Sequence, residues 1–472
     1  MKGTSSATPA ASDSTLDRLR FSDQIRFSPS GRLTIEEADA GDLADRFGTP
    51  LYVTSEQQIR ANYRRLHTAF ASRYPRVLLL YANKANNNLA VRRILTEEGA
   101  GGDCFGLGEL YISLLTGTDP AKLVLNGGNK TDEELKAAVE AGVTVNVDHP
   151  LELRRIEQLA AVLGRRTPVN LRVLPFTYAN PAELSPELAE IAADRSHDKW
   201  GMDAQTIVEV AGEALGMRHV RLRGLHMHVS RLRPTPEHFE LACGLIATCM
   251  ADLRDRFQWQ PEILDIGGGY AHERDPESGQ PAGDHRVATP EEYAEAVVTS
   301  LRASLAERNL DEPLLALEPG RRLVSNATVL LARVGIVKRL PASPVTWVNV
   351  DASTNHCLRA SLQGYHYEIV HASKGGQTAD EPVNITGPTC TIDLIGSQRR
   401  LPPIATGDVL AVLDVGGYAE AMASQFNLLP RPGSVLVNGD RVEVIRRRET
   451  IQDLLSTQSL PTWLWPKSGE AQ

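Results

Sequence analysis

Tyr81-Ala82-Asn83-Lys84-Ala85-Asn86 follows the apolar run Val77-Leu78-Leu79-Leu80-Tyr81 without a break, and Asn87-Asn88-Leu89-Ala90-Val91 then opens a helical pattern. The reading of this junction decides the fold. A lysine just past the C-terminal end of a strand stands where a β/α barrel gathers its chemistry. A partly desolvated amine held there can form a Schiff base with an aldehyde such as pyridoxal phosphate. Taken alone, Lys84 reads equally as a solvated surface lysine, because lysine is mostly exposed. Its neighbours along the chain have to decide.

Outward from Lys84 the strand candidates recur, at 77–81, 102–105, 123–126, 143–147, 169–174, 222–229, 263–266 and 314–318. Amphipathic stretches separate most of them, as at 132–141, where Leu135, Ala138 and Val139 keep helical spacing. Eight strands alternating with helices fit a (β/α)8 barrel better than a doubly wound sheet. The polar stretch 175–196 interrupts the alternation as a long insertion.

After Arg321 the pattern turns to strands at 324–337, 345–350, 367–370, 409–413 and 435–445, with little helix between them. The expected organisation is a leader at 1–19, a segment at 20–50 that joins the β-rich domain, and a barrel over 51–320. The β-rich domain follows over 321–457, with a tail at 458–472. The barrel is thus inserted into a domain built from both ends of the chain. Leader and tail read as disordered.

With 42% hydrophobic and 23% charged residues in 472, the chain has material for a large core. A net charge of −9 and no dense basic block argue against a dedicated nucleic-acid binder. No run is long and apolar enough to span a bilayer, and the Ser/Thr/Ala-rich start lacks the apolar segment of a secretory signal. Five cysteines, none paired at metal-site spacing, fit a reducing cytoplasm. Cys243 and Cys249 share a helical face with Leu241, Leu245 and Met250, which reads as core packing.

Other strand ends carry chemistry. Asp265-Ile266 runs into Gly267-Gly268-Gly269, whose backbone N–H groups can face a phosphate; a plain flexible turn reads the same way. Glu318-Pro319-Gly320-Arg321 offers a carboxylate for a pyridine nitrogen and a guanidinium for phosphate, or else a structural ion pair. His226 and His228 lie on one strand face, as in metal-dependent amidohydrolases. That class needs further His and Asp ligands at later strand ends, where glycines and Glu-Pro-Gly-Arg stand instead, so no metal is expected.

In order, the motifs YANKAN, GGDCFGLGEL, LNGGNKTDEEL, NVDHPLEL, LRGLHMHV, LDIGGGY, EPGR, GPTC and DVGGYAEAMASQFN resemble those of a known family. It is the diaminopimelate decarboxylase branch of the fold type III pyridoxal-phosphate decarboxylases, which also holds ornithine and arginine decarboxylases. The resemblance spans roughly 25–455. It implies that Lys84 bonds the cofactor, with Asp103 beside it and His228 stacked on the ring. Gly267, Gly268, Gly269, Arg321 and the Tyr418 hydroxyl are implied to hold the phosphate, and Glu318 the pyridine nitrogen. It further implies a homodimer with composite sites, in which Cys390 comes from the neighbouring subunit and assists protonation. Substrate contacts fall to Arg321, Arg359, Gln363, Thr391 and Tyr418.

Three departures concern the substrate. Thr391 stands where the branch places an acid after the GPxC cysteine, with Asp393 a little further on. Gln363 replaces a tyrosine four residues after Arg359, and Ser230-Arg231 replaces Gly-Ser after the stacking histidine. A site built for a buried ammonium loses heavily without its carboxylate. The expected substrate is therefore an amino acid whose distal end is acidic, amidated or conjugated, in a specialised biosynthetic pathway. The alternatives are meso-diaminopimelate itself and a D-ornithine- or D-lysine-type substrate. A fold type III racemase would use the same lysine with a tyrosine as second base, but GPTC favours a decarboxylase. A catalytically idle cofactor-binding protein would usually lack the β domain. His197, in Ser196-His197-Asp198-Lys199-Trp200-Gly201, lies on a loop that reads as structural or as a substrate contact.

Overall fold

A computed structural model describes residues 21–229, 234–275, 286–341, 345–379 and 381–465. Ser230-Arg231, the whole leader and the end of the tail lie outside the described residues.

Eight parallel strands close into a barrel in chain order: Val77–Ala82, Gly101–Cys104, Leu123–Leu125, Thr144–Val147, Thr167–Arg172, Val220–His226, Ile263–Asp265 and Leu314–Leu317. The eighth closes on the first through Leu315↔Val77, Ala316↔Leu78 and Leu317↔Leu79. The runs are short, apolar and nearly all buried, as parallel strands covered by helices must be. The helices between them start and stop on local chemistry. In Asp132–Ala141, Thr131 and Glu134 form a reciprocal capping box and Gly142 ends the helix at φ 75°. Pro236–Phe257 turns Phe239, Ala242, Cys243, Ile246, Cys249, Met250 and Leu253 inward. That places both cysteines in the packed core.

The second domain is a mixed sheet in the order Leu394–Leu401, Glu381–Thr386, Thr346–Val350, Thr328–Arg339, Leu51–Ser55, Gly433–Asn438, Arg441–Arg446. Ile369–His371 pairs with Val409–Val412, which joins Thr328–Arg339. Leu51–Ser55 does not open the barrel segment. It lies between Thr328–Arg339, antiparallel, and Gly433–Asn438, parallel, so the chain leaves this sheet for the barrel only at Ser55. All five of its residues are buried, which a single sheet face would not provide. A small sheet, Ile25–Phe27, Leu33–Ile35 and Ala38–Asp39, packs its apolar side chains against the same strands. The polar insertion near 180 forms short 3-10 turns and the helix Pro186–Arg195. No helix among the described residues is long and apolar enough to cross a membrane.

Candidate active site

Lys84 sits in a 3-10 turn, Asn83–Ala85, immediately beyond the first barrel strand. The asparagines around it fasten that turn. Asn83 Nδ2 donates to the Asp103 carbonyl at 2.9 Å and to Ser113 Oγ at 3.1 Å, and Asn86 Nδ2 donates to the Gly416 carbonyl at 3.1 Å. The Tyr418 N–H donates to the Ala85 carbonyl at 2.7 Å, so the second domain grips the lysine turn directly. Tyr418 does this at φ 60°, a region that disfavours a bulky residue and persists only where surroundings impose it.

The Lys84 ammonium ion-pairs with Asp103 and lies 4.3 Å from the centre of the Phe105 ring. Burial works against its charge, but Asp103, Glu318 and Tyr418 outweigh this and hold the amine above its ordinary value. Asp103, Asp265 and Glu318 are all buried. Asn126 Nδ2 donates to Asp103 Oδ1 and to Glu318 Oε1, each at 2.7 Å. A ladder of amides points it there: Asn146 Nδ2 donates to Asn126 Oδ1 at 3.0 Å and Asn170 Nδ2 to Asn146 Oδ1 at 2.9 Å. Burial, then Glu318, pushes Asp103 up, and the same two causes push Asp265 well up. Burial also opposes the Glu318 charge, yet His226, Lys84 and His228 outweigh it and draw that carboxyl down. Negative charge is thus concentrated on Glu318.

The third side of the site is the glycine turn. Gly267 has φ 72°, and a Cβ there would meet the Met227 carbonyl at 2.6 Å and His228 Nδ1 at 2.7 Å. A Cβ at Gly268 would lie 2.4 Å from the Glu318 carbonyl. Only glycine fits at either position. His228 Nδ1 accepts from the Gly268 N–H at 3.2 Å. His226, Asp265 and Glu318 each bring one ligand atom within 4.8 Å of the others. Asp265 Oδ1 takes the Gly267 N–H at 2.9 Å, and Glu318 Oε1 takes Asn126.

These groups surround a cavity of about 290 Å³ at the C-terminal mouth of the barrel, lined by Lys84, His228, Gly268, Gly269, Glu318, Arg321 and Tyr418 among others. Asp103 is joined to this lining by its ion pair with Lys84. A larger depression of about 720 Å³, between helices Pro236–Phe257 and Pro290–Glu307, brings together no lysine, histidine or cysteine among the described residues. Arg359, Gln363, Cys390 and Thr391 do not line the catalytic cavity. Arg359 approaches only as far as the Tyr418 ring, 5.5 Å from its centre, and its Nε donates to Gln363 Oε1 at 2.8 Å. Cys390 is exposed in the second domain with its Sγ 3.4 Å from Asn427 Oδ1, and Thr391 Oγ1 bonds Thr389 Oγ1 at 3.0 Å.

Strand-end reasoning applied to every strand would also have found Phe105, Asn126 and Arg172. Arg172 ends the fifth strand, lies 4.9 Å from the Trp200 ring, and has a buried Nη1 with no hydrogen-bond partner among the described residues. His197 is exposed, but its neighbours Arg195, Asp198 and Trp200 line the cavity.

His228 supplies a pH signature. Burial, reinforced by Arg172 and opposed by Glu318, holds it down to about 3 from 6.5. Below pH 6.5 the unfolded chain takes up a proton that the fold refuses, so stability falls from there toward pH 3. His228→Gln is expected to flatten this part of the melting-temperature profile. A variant slope matching that of the wild type contradicts the assignment.

An amine, a glycine phosphate cradle, a buried anion and a neutral imidazole around one barrel mouth define an aldehyde-cofactor site. The unpartnered Arg172 Nη1 adds a donor for a polar ring. Residues 56–325 match the family described as pyridoxal-dependent decarboxylase, pyridoxal binding domain. The chain belongs to that family. It is 36% identical over 441 residues to the diaminopimelate decarboxylase of Methanothermobacter thermautotrophicus, covering 93% of this chain and 98% of that protein. To the Bacillus subtilis diaminopimelate decarboxylase it is 30% identical over 434 residues, covering 91% and 96%. The crystal structure of the diaminopimelate decarboxylase from Methanocaldococcus jannaschii superposes with a TM-score of 0.85 at 32% identity, covering 94% and 99%. The protein is a pyridoxal-phosphate-dependent carboxy-lyase acting on an amino acid.

Proposed function

We propose that this decarboxylase acts on an amino acid whose distal end carries a carboxylate or acyl group and no free ammonium. The observation that carries this reading is the state of Asp393. It is buried and accepts from Ser353 Oγ, the Thr354 N–H, Thr354 Oγ1 and the Thr389 N–H. A carboxylate so engaged is not available to a substrate ammonium, and Thr391 beside Cys390 is neutral. Arg359, a buried cation, remains to pair a distal carboxylate or carbonyl oxygen.

Pyridoxal phosphate, when bound, supplies an electron sink for the carbanion left as CO2 departs. In this reading the protein's own groups do the rest. Lys84 would hold the cofactor, with Asp103 paired to its amine. Glu318 would hold negative charge toward the pyridine nitrogen, and the uncharged His228 would pack against the ring. Gly267, Gly268, Gly269, Arg321 and Tyr418 take the phosphate.

Protonation of the product carbon falls to Cys390 of a second copy in a homodimer. The exposed Ile392, Phe426 and Leu428 surrounding Cys390 support a docking face there. Five unpaired cysteines fit a reducing cytoplasm.

The relatives' names favour a second reading, meso-diaminopimelate as substrate. CO2 release from meso-diaminopimelate, D-ornithine, D-lysine and citryl- or glutamyl-conjugated amino acids separates the two. A kcat/KM for a conjugate at least about 100-fold above that for meso-diaminopimelate is expected, the size of penalty a missing ionic partner imposes. The reverse order overturns the proposal.

A further inference from the structure

The segment directly after the glycine turn, His272-Glu273-Arg274-Asp275, has no share in the roles above, yet each residue is tied down. Glu273 pairs with Arg322 at 3.0 Å. Arg274 Nε donates to Asp414 Oδ2 at 2.8 Å, across to the second domain. His272 and Asp275, both at most 2% exposed, meet the hydroxyl of Tyr365. His272 Nε2 lies 3.1 Å from that oxygen, and the hydroxyl donates to Asp275 Oδ1 at 2.9 Å.

The other oxygen of Asp275 completes a bridge. Arg321 Nη1 donates to Asp275 Oδ2 at 2.9 Å, and Arg321 lines the cofactor cavity. On the opposite side, the Arg359 guanidinium carbon lies over the Tyr365 ring, 3.7 Å from its centre. The order Arg321, Asp275, Tyr365, Arg359 therefore runs unbroken from the barrel to the second domain. Burial pushes Asp275 up, but His272, Arg321 and Arg359 outweigh it and draw it down, so the link is anionic. One buried negative charge between two cations offsets their mutual repulsion while both point at anions.

We infer that Asp275 and Tyr365 are positioning residues that couple the phosphate-binding arginine to the substrate-reading arginine. Asp275 fixes Arg321 directly, and through the Tyr365 hydroxyl it fixes the ring on which Arg359 rests. Tyr365, two positions beyond Gln363, orients Arg359 from beneath, a task that glutamine at 363 performs only from the edge. The inference rests on the roles proposed above for Arg321 and Arg359.

The test uses Asp275→Asn, Tyr365→Phe and the double variant, all close in shape to the parent residues. Cofactor affinity is read by absorbance titration with pyridoxal phosphate. KM and kcat are measured with whichever of meso-diaminopimelate and the citryl- or glutamyl-conjugated amino acids the wild type turns over fastest. Asp275→Asn is expected to weaken cofactor binding about tenfold and raise KM about fivefold, as loss of a buried ionic hydrogen bond does. Tyr365→Phe is expected to raise KM by a similar factor, with cofactor affinity and kcat within about twofold. In the double variant KM should rise no further than in Asp275→Asn alone, the non-additivity of residues acting in series. Unchanged cofactor affinity in Asp275→Asn, unchanged KM in Tyr365→Phe, or KM effects that multiply in the double variant would each overturn the coupling. A wild type that binds no pyridoxal phosphate would instead sink the underlying roles.

Discussion

Lys84→Ala is expected to lower kcat by about 10⁴-fold or more, since the covalent attachment point cannot be replaced by neighbouring groups. Among the described residues lining the cavity Lys84 is the only lysine. Lys199, next to the cavity-lining Trp200, lies 4.5 Å from the centre of that ring. Folding should survive the change. The turn is held by Asn83, Asn86 and Tyr418 through main-chain carbonyls, none of which needs the lysine side chain. The loss of the ammonium does leave Asp103 buried without its cation, so a modest fall in melting temperature is expected. A kcat within tenfold of wild type, in protein that still melts cooperatively, would remove Lys84 from the chemistry.

Glu318→Gln is expected to lower kcat by about 10² to 10³-fold with KM little changed, the usual cost of removing a preorganised charge facing the transition state. The same substitution should also lower the stability of the cofactor-free protein at neutral pH, because His226, Lys84 and His228 draw the Glu318 carboxyl down and lose their anionic partner. Glu318 is buried beside Asp103 and Asp265, and its charge pushes both of them up. Relief of that repulsion offsets only part of the loss. Loss of stability together with unchanged kcat would show that Glu318 is a structural ion-pair partner of His226, 3.4 Å away, and nothing more.

The barrel was legible because parallel strands must be apolar throughout, and eight such runs stand between helical patterns. Each of the eight sequence candidates overlaps an observed strand, with ends shifted by a few residues. The second domain was harder. The expected strand at 324–337 begins only at Thr328, because Arg321–Val324 closes a helical turn after Gly320. The single candidate at 435–445 is a hairpin, broken where Gly439 takes φ 64°. Glu381–Thr386 and Leu394–Leu401 went unrecognised, since proline, glycine and arginine within them dilute any alternation.

At the site, motif order brought forward Lys84, Asp103, His228, the glycines, Glu318, Arg321 and Tyr418, and the fold gathers them around one cavity. Asn126 and its amide ladder were hidden because each asparagine, read alone, is an ordinary polar residue. Asp275 and Tyr365 were hidden for a different reason: they are 90 residues apart, and only the docking of two domains makes them neighbours.

The central claim is that the ε-nitrogen of Lys84 is the attachment point of pyridoxal phosphate. The most direct measurement is borohydride reduction of the purified holoenzyme followed by peptide mass mapping. The account predicts a pyridoxyl phosphate adduct on the peptide containing Lys84, together with loss of the visible absorbance. An adduct on any other lysine, or none at all in protein that contains the cofactor, would contradict it.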